Sequence, residues 1–97
     1  MTRVEELELA LARALELSEL GKDYGQECRR VQELLTERQL SLLFTLIDKG
    51  PRPFRDSDEE LFLIYFDLAA RDGRGYVGAT LMAVNLVKPL QARVSLT

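Results

Sequence analysis

The sequence predicts an all-α fold, a small bundle of four or possibly five helices with a short extended segment at its C-terminal end. The first observation is a set of helix-start signals, because Ser or Thr followed three residues later by Glu or Gln has the spacing of a capping box. Such pairs are Thr2 with Glu5, Thr36 with Gln39, and Ser57 with Glu60. The second observation is size: 97 residues support one hydrophobic core. We therefore predict a single helical domain over residues 1–97.

Helix one is predicted over residues 3–20. The run VEELELALARALELSEL is rich in leucine, alanine and glutamate, which are strong helix formers, and Gly21 closes it. One apolar line with helical spacing consists of Val4, Leu7, Leu11 and Ala14. The leucines that lie off that line are Leu9, Leu17 and Leu20. The apolar surface is therefore wider than a single seam, and we expect helix one to contact two neighbours.

Residues 22–49 have a helical pattern throughout, with a possible break at residue 36. An unbroken helix of this length would be about 40 Å long, which is long for so small a chain. Thr36 and Gln39 would instead begin a new helix, so one long helix and two shorter helices remain alternatives. Gly50 ends the pattern, and the prolines that follow it predict a short extended connector.

The central helix is predicted over residues 58–72 and contains the densest apolar run of the chain, LFLIYF at residues 61–66. Because consecutive apolar residues place apolar side chains on every side of a helix, we expect it to be buried nearly all round. A strand over the same run is the rival interpretation, favoured by its aromatic content. The start signal at Ser57 and the glycine at Gly73 favour the helix.

The last helix is predicted over residues 77–88, where small side chains would let it pack closely against the central helix. It follows an elbow whose Gly73, Gly75 and Gly78 match the dinucleotide-binding fingerprint G-x-G-x-x-G. That fingerprint requires a preceding strand and a later acidic residue, but the element predicted before it is a helix and no acid follows Asp72. We therefore interpret the glycines as an elbow between two tightly packed helices.

The tail over residues 90–97 alternates apolar and polar side chains, which is the pattern of a strand. Its apolar positions are Leu90, Ala92, Val94 and Leu96. No obvious partner strand is predicted elsewhere in the chain. Two alternatives remain: the last helix continues past Pro89, or the tail frays.

Composition limits the chemistry available to the chain. There is no histidine, the commonest general base, and Cys28 is the only cysteine, so neither an intrachain disulfide nor a thiolate cluster can form. We expect no catalytic residue, no metal site and no cofactor; an enzyme that uses carboxylates such as Asp67 or Asp72 is the weakest alternative. No apolar run is long enough to span a membrane, and the N-terminal residues are acidic where a signal peptide is basic. We therefore expect a cytoplasmic protein with no membrane partner.

The segment over residues 35–50 resembles the opening helix of a winged-helix DNA-binding domain. That resemblance implies a short second helix and a recognition helix bearing Arg, Lys, Asn or Gln, whereas the predicted helices here are long and apolar. The formal net charge of -3 would also neutralise phosphates poorly. A helix-turn-helix-like nucleic-acid-binding transcriptional regulator is therefore the alternative function, and nucleic acid is a disfavoured partner.

The chain carries more apolar side chains than four short helices can bury alone, because two predicted helices are apolar all round. Burial against a second copy with two-fold symmetry is the simplest solution. We therefore predict a non-enzymatic helical protein-interaction module, a homodimeric regulator or chaperone that binds an unidentified protein partner. The predicted partner-binding residues are Leu9, Leu17, Leu20, Leu90, Val94 and Leu96.

Overall fold

The computed structural model describes residues 2–86, and these residues fall into two compact units. Unit 1 contains residues 2–35 together with Leu86, and unit 2 contains residues 36–85. The predictions for the tail 90–97, including those for Leu90, Val94 and Leu96, lie outside the described residues. The prediction of one domain over residues 1–97 stays a prediction.

Unit 1 is built from two helices that pack against each other, α1 over Arg3–Glu19 and α2 over Gly25–Leu34. The capping box of Thr2 and Glu5 is present in full at the start of α1. The buried side chains of the pair are Leu7, Ala10, Leu11 and Ala14 from α1 and Cys28, Val31 and Leu34 from α2. Helix one therefore buries nearly the predicted line of residues, except that Val4 remains exposed.

Of the two alternatives for residues 22–49, the structure has two shorter helices. The helical pattern over residues 22–49 is two helices, α2 and then α3 over Glu37–Lys49, separated by Leu35 in an extended conformation. Thr36 caps α3: its side chain accepts from the N–H of Gln39, and the Gln39 side chain accepts from the N–H of Thr36. The capping signal therefore located this helix start correctly.

Unit 2 combines helices with a small antiparallel sheet. After α3 come β1 over Arg52–Pro53, α4 over Asp58–Tyr65, β2 over Ala69–Arg71 and β3 over Tyr76–Ala79, and residues 81–85 are again helical. The strand order is β1-β3-β2, with Arg52 opposite Val77 and Ala70 opposite Gly78. For residues 2–86 the prediction of a mainly helical fold is confirmed, and the all-α class holds in part, because it did not include this small sheet.

The central helix is shorter than predicted: α4 ends at Tyr65 and does not continue to residue 72. The reason is Asp67, whose positive φ of 60° places it in the left-handed region. The N–H of Asp67 donates to the Ile64 carbonyl at 3.1 Å and that of Leu68 donates to the Leu63 carbonyl at 2.9 Å, which is a Schellman ending. The expectation of burial on nearly all sides is also wrong, because Tyr65 is 71% exposed.

The glycine-rich elbow is a β-hairpin turn and not a joint between two helices. The Asp72 carboxylate accepts from the N–H groups of Arg74 and Tyr76, at 2.8 and 3.0 Å, and Gly75 supplies the positive φ that the turn needs. The segment from residue 76 to residue 79 is therefore β3, and the next helical segment begins later than predicted. Thr80 caps it by accepting from the N–H of Ala83.

Candidate protein-interaction surface

Two of the predicted partner-binding leucines lie on the surface of unit 1. Leu9 is 51% exposed and Leu20 is 61% exposed, whereas Leu17 is half-buried. Leu20 is the C-cap of α1 and still has helical backbone angles, so the regular helical spacing of side chains extends to it. Their exposure follows from their position off the buried line of the helix.

Two charged residues that the sequence analysis did not single out lie between these leucines. At about 100° per residue, Leu9, Arg13, Glu16 and Leu20 fall within about 60° of one another, on the side of α1 away from its buried residues. We call these four residues the outer stripe of α1. It is about 16 Å long and has an apolar residue at each end with one cation and one anion between them. The outer stripe can be recognised in the sequence from the helical spacing of its four residues.

Arg13 and Glu16 are both exposed and available to another molecule. Within residues 2–86 the ion pairs are Arg30 with Glu6, at 3.3 Å, and Arg30 with Glu33, at 3.7 Å. Neither charge of the outer stripe is therefore neutralised by a neighbour in the described part of the chain. An exposed, unpaired cation and anion at neighbouring helical positions favour a partner that presents the opposite order of charges.

A groove of about 330 Å³ runs beside Leu9, between α1 and α2. Its walls include Leu9, Ala10 and Arg13 from α1 and Gln26 and Arg30 from α2. Ala10 is small and buried, so the floor is apolar while the rim is charged. A groove with this lining can accept one large apolar side chain from another molecule.

Unit 2 has an exposed apolar surface of its own, formed by Leu61 and Tyr65 on α4. These residues are one turn apart on the same helix face and are 45% and 71% exposed. The sequence of α4, DEELFLIY, contains three acids in its first turn and no Lys or Arg. The α4 face therefore offers apolar area and negative charge but lacks a cation.

A cleft of about 530 Å³ within unit 2 has mixed charges along its walls. Arg38, Arg52 and Arg55 line it together with Glu37 and Glu59. The Arg52 Nε atom is buried there and has no hydrogen-bond partner. Because both cations and anions line the cleft, the lining does not select one class of charged ligand.

The one buried charged side chain among the described residues is Glu60, which is 0% exposed. Its carboxylate accepts from the N–H groups of Arg55 and Ser57 and from the Ser57 hydroxyl, the last at 2.7 Å. Burial acts to raise the pKa of Glu60, but these hydrogen bonds and the charge of Arg52 outweigh it and lower the pKa below its ordinary value. With its oxygens occupied, Glu60 is an anchor for the start of α4.

Comparison with protein-family models, with curated protein sequences and with solved structures gives no significant match. Among the helices of residues 2–86, none combines the length and apolar character needed to cross a membrane. The functional argument therefore rests on the residues of the chain itself.

Proposed function

We propose that the chain is a non-enzymatic protein-interaction module, a homodimer that binds and regulates or chaperones another protein. The observation that carries this proposal is the outer stripe of α1, where Leu9 and Leu20 are more than half exposed beside unpaired charges. Exposed leucines at a helical spacing, with polar residues between them, are typical of helices that dock on another helix.

The buried carboxylate of Glu60 is a structural group and does not suit general acid–base catalysis. General acid–base catalysis needs a titratable group that faces a pocket with a free lone pair or proton. The buried carboxylate of Glu60 is fully engaged, and its lowered pKa makes it a weak base. The single cysteine, Cys28, is buried in the helix pair of unit 1 and suits a reducing cytoplasm, where we propose that the protein acts.

Sedimentation equilibrium of the intact chain, compared with its Leu20→Glu variant, tests the proposal. We expect the parent chain to self-associate and the variant to raise the dissociation constant at least tenfold, because a carboxylate replaces an apolar contact that occurs twice. Leu61→Glu is the matched control, since it adds the same charge at an exposed leucine of α4. Self-association of Leu20→Glu as tight as that of the parent chain, or a parent chain that stays monomeric into the millimolar range, would contradict the proposal.

A nucleic-acid-binding regulator is the second candidate. The observation in its favour is the group of arginines that lines the cleft of unit 2, with two more, Arg71 and Arg74, in or beside the hairpin. Against it, α4 leads directly into β2, so the described residues contain no recognition helix at the place where the winged-helix resemblance requires one. Binding of duplex DNA that weakens steeply with salt would support this candidate, and no binding at low salt would remove it.

A further inference from the structure

We propose that two copies of the chain pair through the outer stripes of α1 in an antiparallel arrangement. Leu9 of each copy faces Leu20 of the other copy, and Arg13 of each copy faces Glu16 of the other copy. This inference rests on the proposed function and makes it specific, because it names the occupant of the surface, its orientation and its register.

The order of residues along the stripe is the first argument. The intervals from Leu9 to Arg13, from Arg13 to Glu16 and from Glu16 to Leu20 are four, three and four residues, so the pattern of positions reads the same from both ends. Its centre lies between residues 14 and 15. A two-fold axis through that point exchanges Leu9 with Leu20 and Arg13 with Glu16. Each contact then occurs twice, as in a closed symmetric dimer.

Charge selects the orientation. In a parallel pair with the helices in register, Arg13 would face Arg13 and Glu16 would face Glu16 of the second copy, which places like charges together twice. In the antiparallel pair each cation faces an anion. Since Arg13 and Glu16 have no ion pair within the described residues, their charges are available for this contact. Complementary charges of this kind fix orientation and register more than they add affinity.

Charge also selects the register. Sliding the antiparallel pair until Leu9 faces Leu17 of the second copy moves the two-fold axis to Arg13, so that Arg13 faces Arg13. That register keeps an apolar contact but loses both charge pairs. The register that matches Leu9 with Leu20 keeps the apolar contacts and both charge pairs, and we therefore assign it.

The groove between α1 and α2 accommodates this pairing. The leucine that faces Leu9 is Leu20 of the second copy, and the groove of about 330 Å³ opens directly beside Leu9, over the buried Ala10. Leu20 is the most exposed leucine in the described part of unit 1, and the groove offers an apolar floor to such a side chain. The two-fold axis repeats this insertion, so each copy supplies one leucine and one groove.

Disulfide trapping with the full chain tests the orientation. Leu9→Cys and Leu20→Cys are prepared as separate variants, then equilibrated alone and as an equal mixture in a thiol–disulfide buffer, and the products are identified by mass spectrometry. Facing positions on packed helices bring Cα atoms to distances at which a disulfide forms. The parent chain is the control, because its only cysteine, Cys28, is 1% exposed and should not cross-link.

We expect the mixture to give mainly the mixed dimer, at several times the yield of either symmetric product. Symmetric dimers formed by each variant alone would overturn the antiparallel arrangement while leaving self-association through α1, and hence the proposed function, intact. Absence of any cross-link, together with a monomeric parent chain, would overturn both.

Charge-reversal variants test the same contacts independently of disulfide trapping. Arg13→Glu should raise the dissociation constant roughly fivefold to tenfold, since it places two carboxylates opposite each other at two sites. The double variant Arg13→Glu with Glu16→Arg restores opposite charges across an antiparallel interface, and its dissociation constant should return to near the parent value. Arg29→Glu, at an exposed position of α2, changes net charge equally and should have little effect. A double variant as weak as Arg13→Glu would overturn the pairing of Arg13 with Glu16.

Discussion

Helices α1 and α4 begin and end in the same way but present different surfaces. Each starts with a capping box, and each exposes large apolar side chains. The second residue after each helix, Gly21 or Asp67, lies in the left-handed region. The glutamate of the α1 box, Glu5, is exposed, whereas the glutamate of the α4 box, Glu60, is fully buried.

The surfaces differ in charge as well. The exposed face of α1 carries both a cation and an anion, and that of α4 lies on a helix with acids only. The same local signals at the helix ends therefore serve two purposes in this chain. In unit 1 they start a long helix that carries the outer stripe, which we propose pairs with a second copy. In unit 2 they anchor a short helix to the connector that follows β1.

The largest loss of stability is expected at the capping box of α4, and it should exceed the loss at the capping box of α1. Glu60→Ala leaves three donors of Arg55 and Ser57 without their acceptor and should lower the free energy of unfolding by about 2–4 kcal/mol. Glu5→Ala, which removes the equivalent but exposed carboxylate, should lower it by about 0.5–1 kcal/mol. Urea denaturation followed by circular dichroism measures both. Equal losses would show that the burial of Glu60 contributes nothing beyond an ordinary cap.

Acid should affect stability through Glu60. A carboxyl whose pKa is lower in the folded chain than in the unfolded chain stabilises the fold above its ordinary pKa of 4.5. That contribution is lost as the pH falls from there through the lower pKa of the folded chain. The parent chain should therefore lose stability on acidification through this range more steeply than Glu60→Gln does. Urea midpoints measured from neutral to acidic pH give the two slopes. Parallel slopes would assign the acid sensitivity to other carboxylates.

The smallest changes in the free energy of unfolding are expected at the ends of α1 and α4. Substitutions at these two ends should change it in opposite directions. Asp67→Gly relieves an aspartate held at a φ of 60° and should raise the free energy of unfolding by about 0.5–1 kcal/mol. Gly21→Ala places a side chain at a φ of 70° and should lower it by about 1 kcal/mol, although an added Cβ meets no atom there. Thermal unfolding of the two variants would contradict this account if both shifts had the same sign.

Much of the helical structure could be predicted because its signals are local. All three capping boxes lie where the spacing of hydroxyl and Glu or Gln places them, since two side chains and the adjacent backbone suffice to form the motif. The end of α4 could not be predicted in this way. Asp67 adopts the left-handed conformation, but no local sequence pattern indicates that it does so. The apolar residues after Asp67 fit a helical pattern as well as those before it.

The small sheet depends on contacts between residues far apart in the chain. Strand β3 pairs with β1 as well as with its hairpin neighbour β2, and Gly78 lies where an added Cβ would come within 3.2 Å of Pro51. No local pattern indicates this close approach, which is why the glycine spacing predicts an elbow between two helices instead.

On the surface of α1, the helical spacing predicts that Leu9 and Leu20 lie off the buried line. Arg13 and Glu16 were missed because charged residues on an exposed helix face are ordinary when considered singly.

The most direct test of the central claim, that the outer stripe of α1 is a binding surface, is an NMR dilution series of the intact, isotopically labelled chain. Between micromolar and millimolar concentration we expect the amide resonances of Leu9, Arg13, Glu16 and Leu20 to shift together along one binding curve, while those of Leu61 and Tyr65 stay constant. Shifts confined to Leu61 and Tyr65, or spectra that do not change with concentration, would contradict the claim.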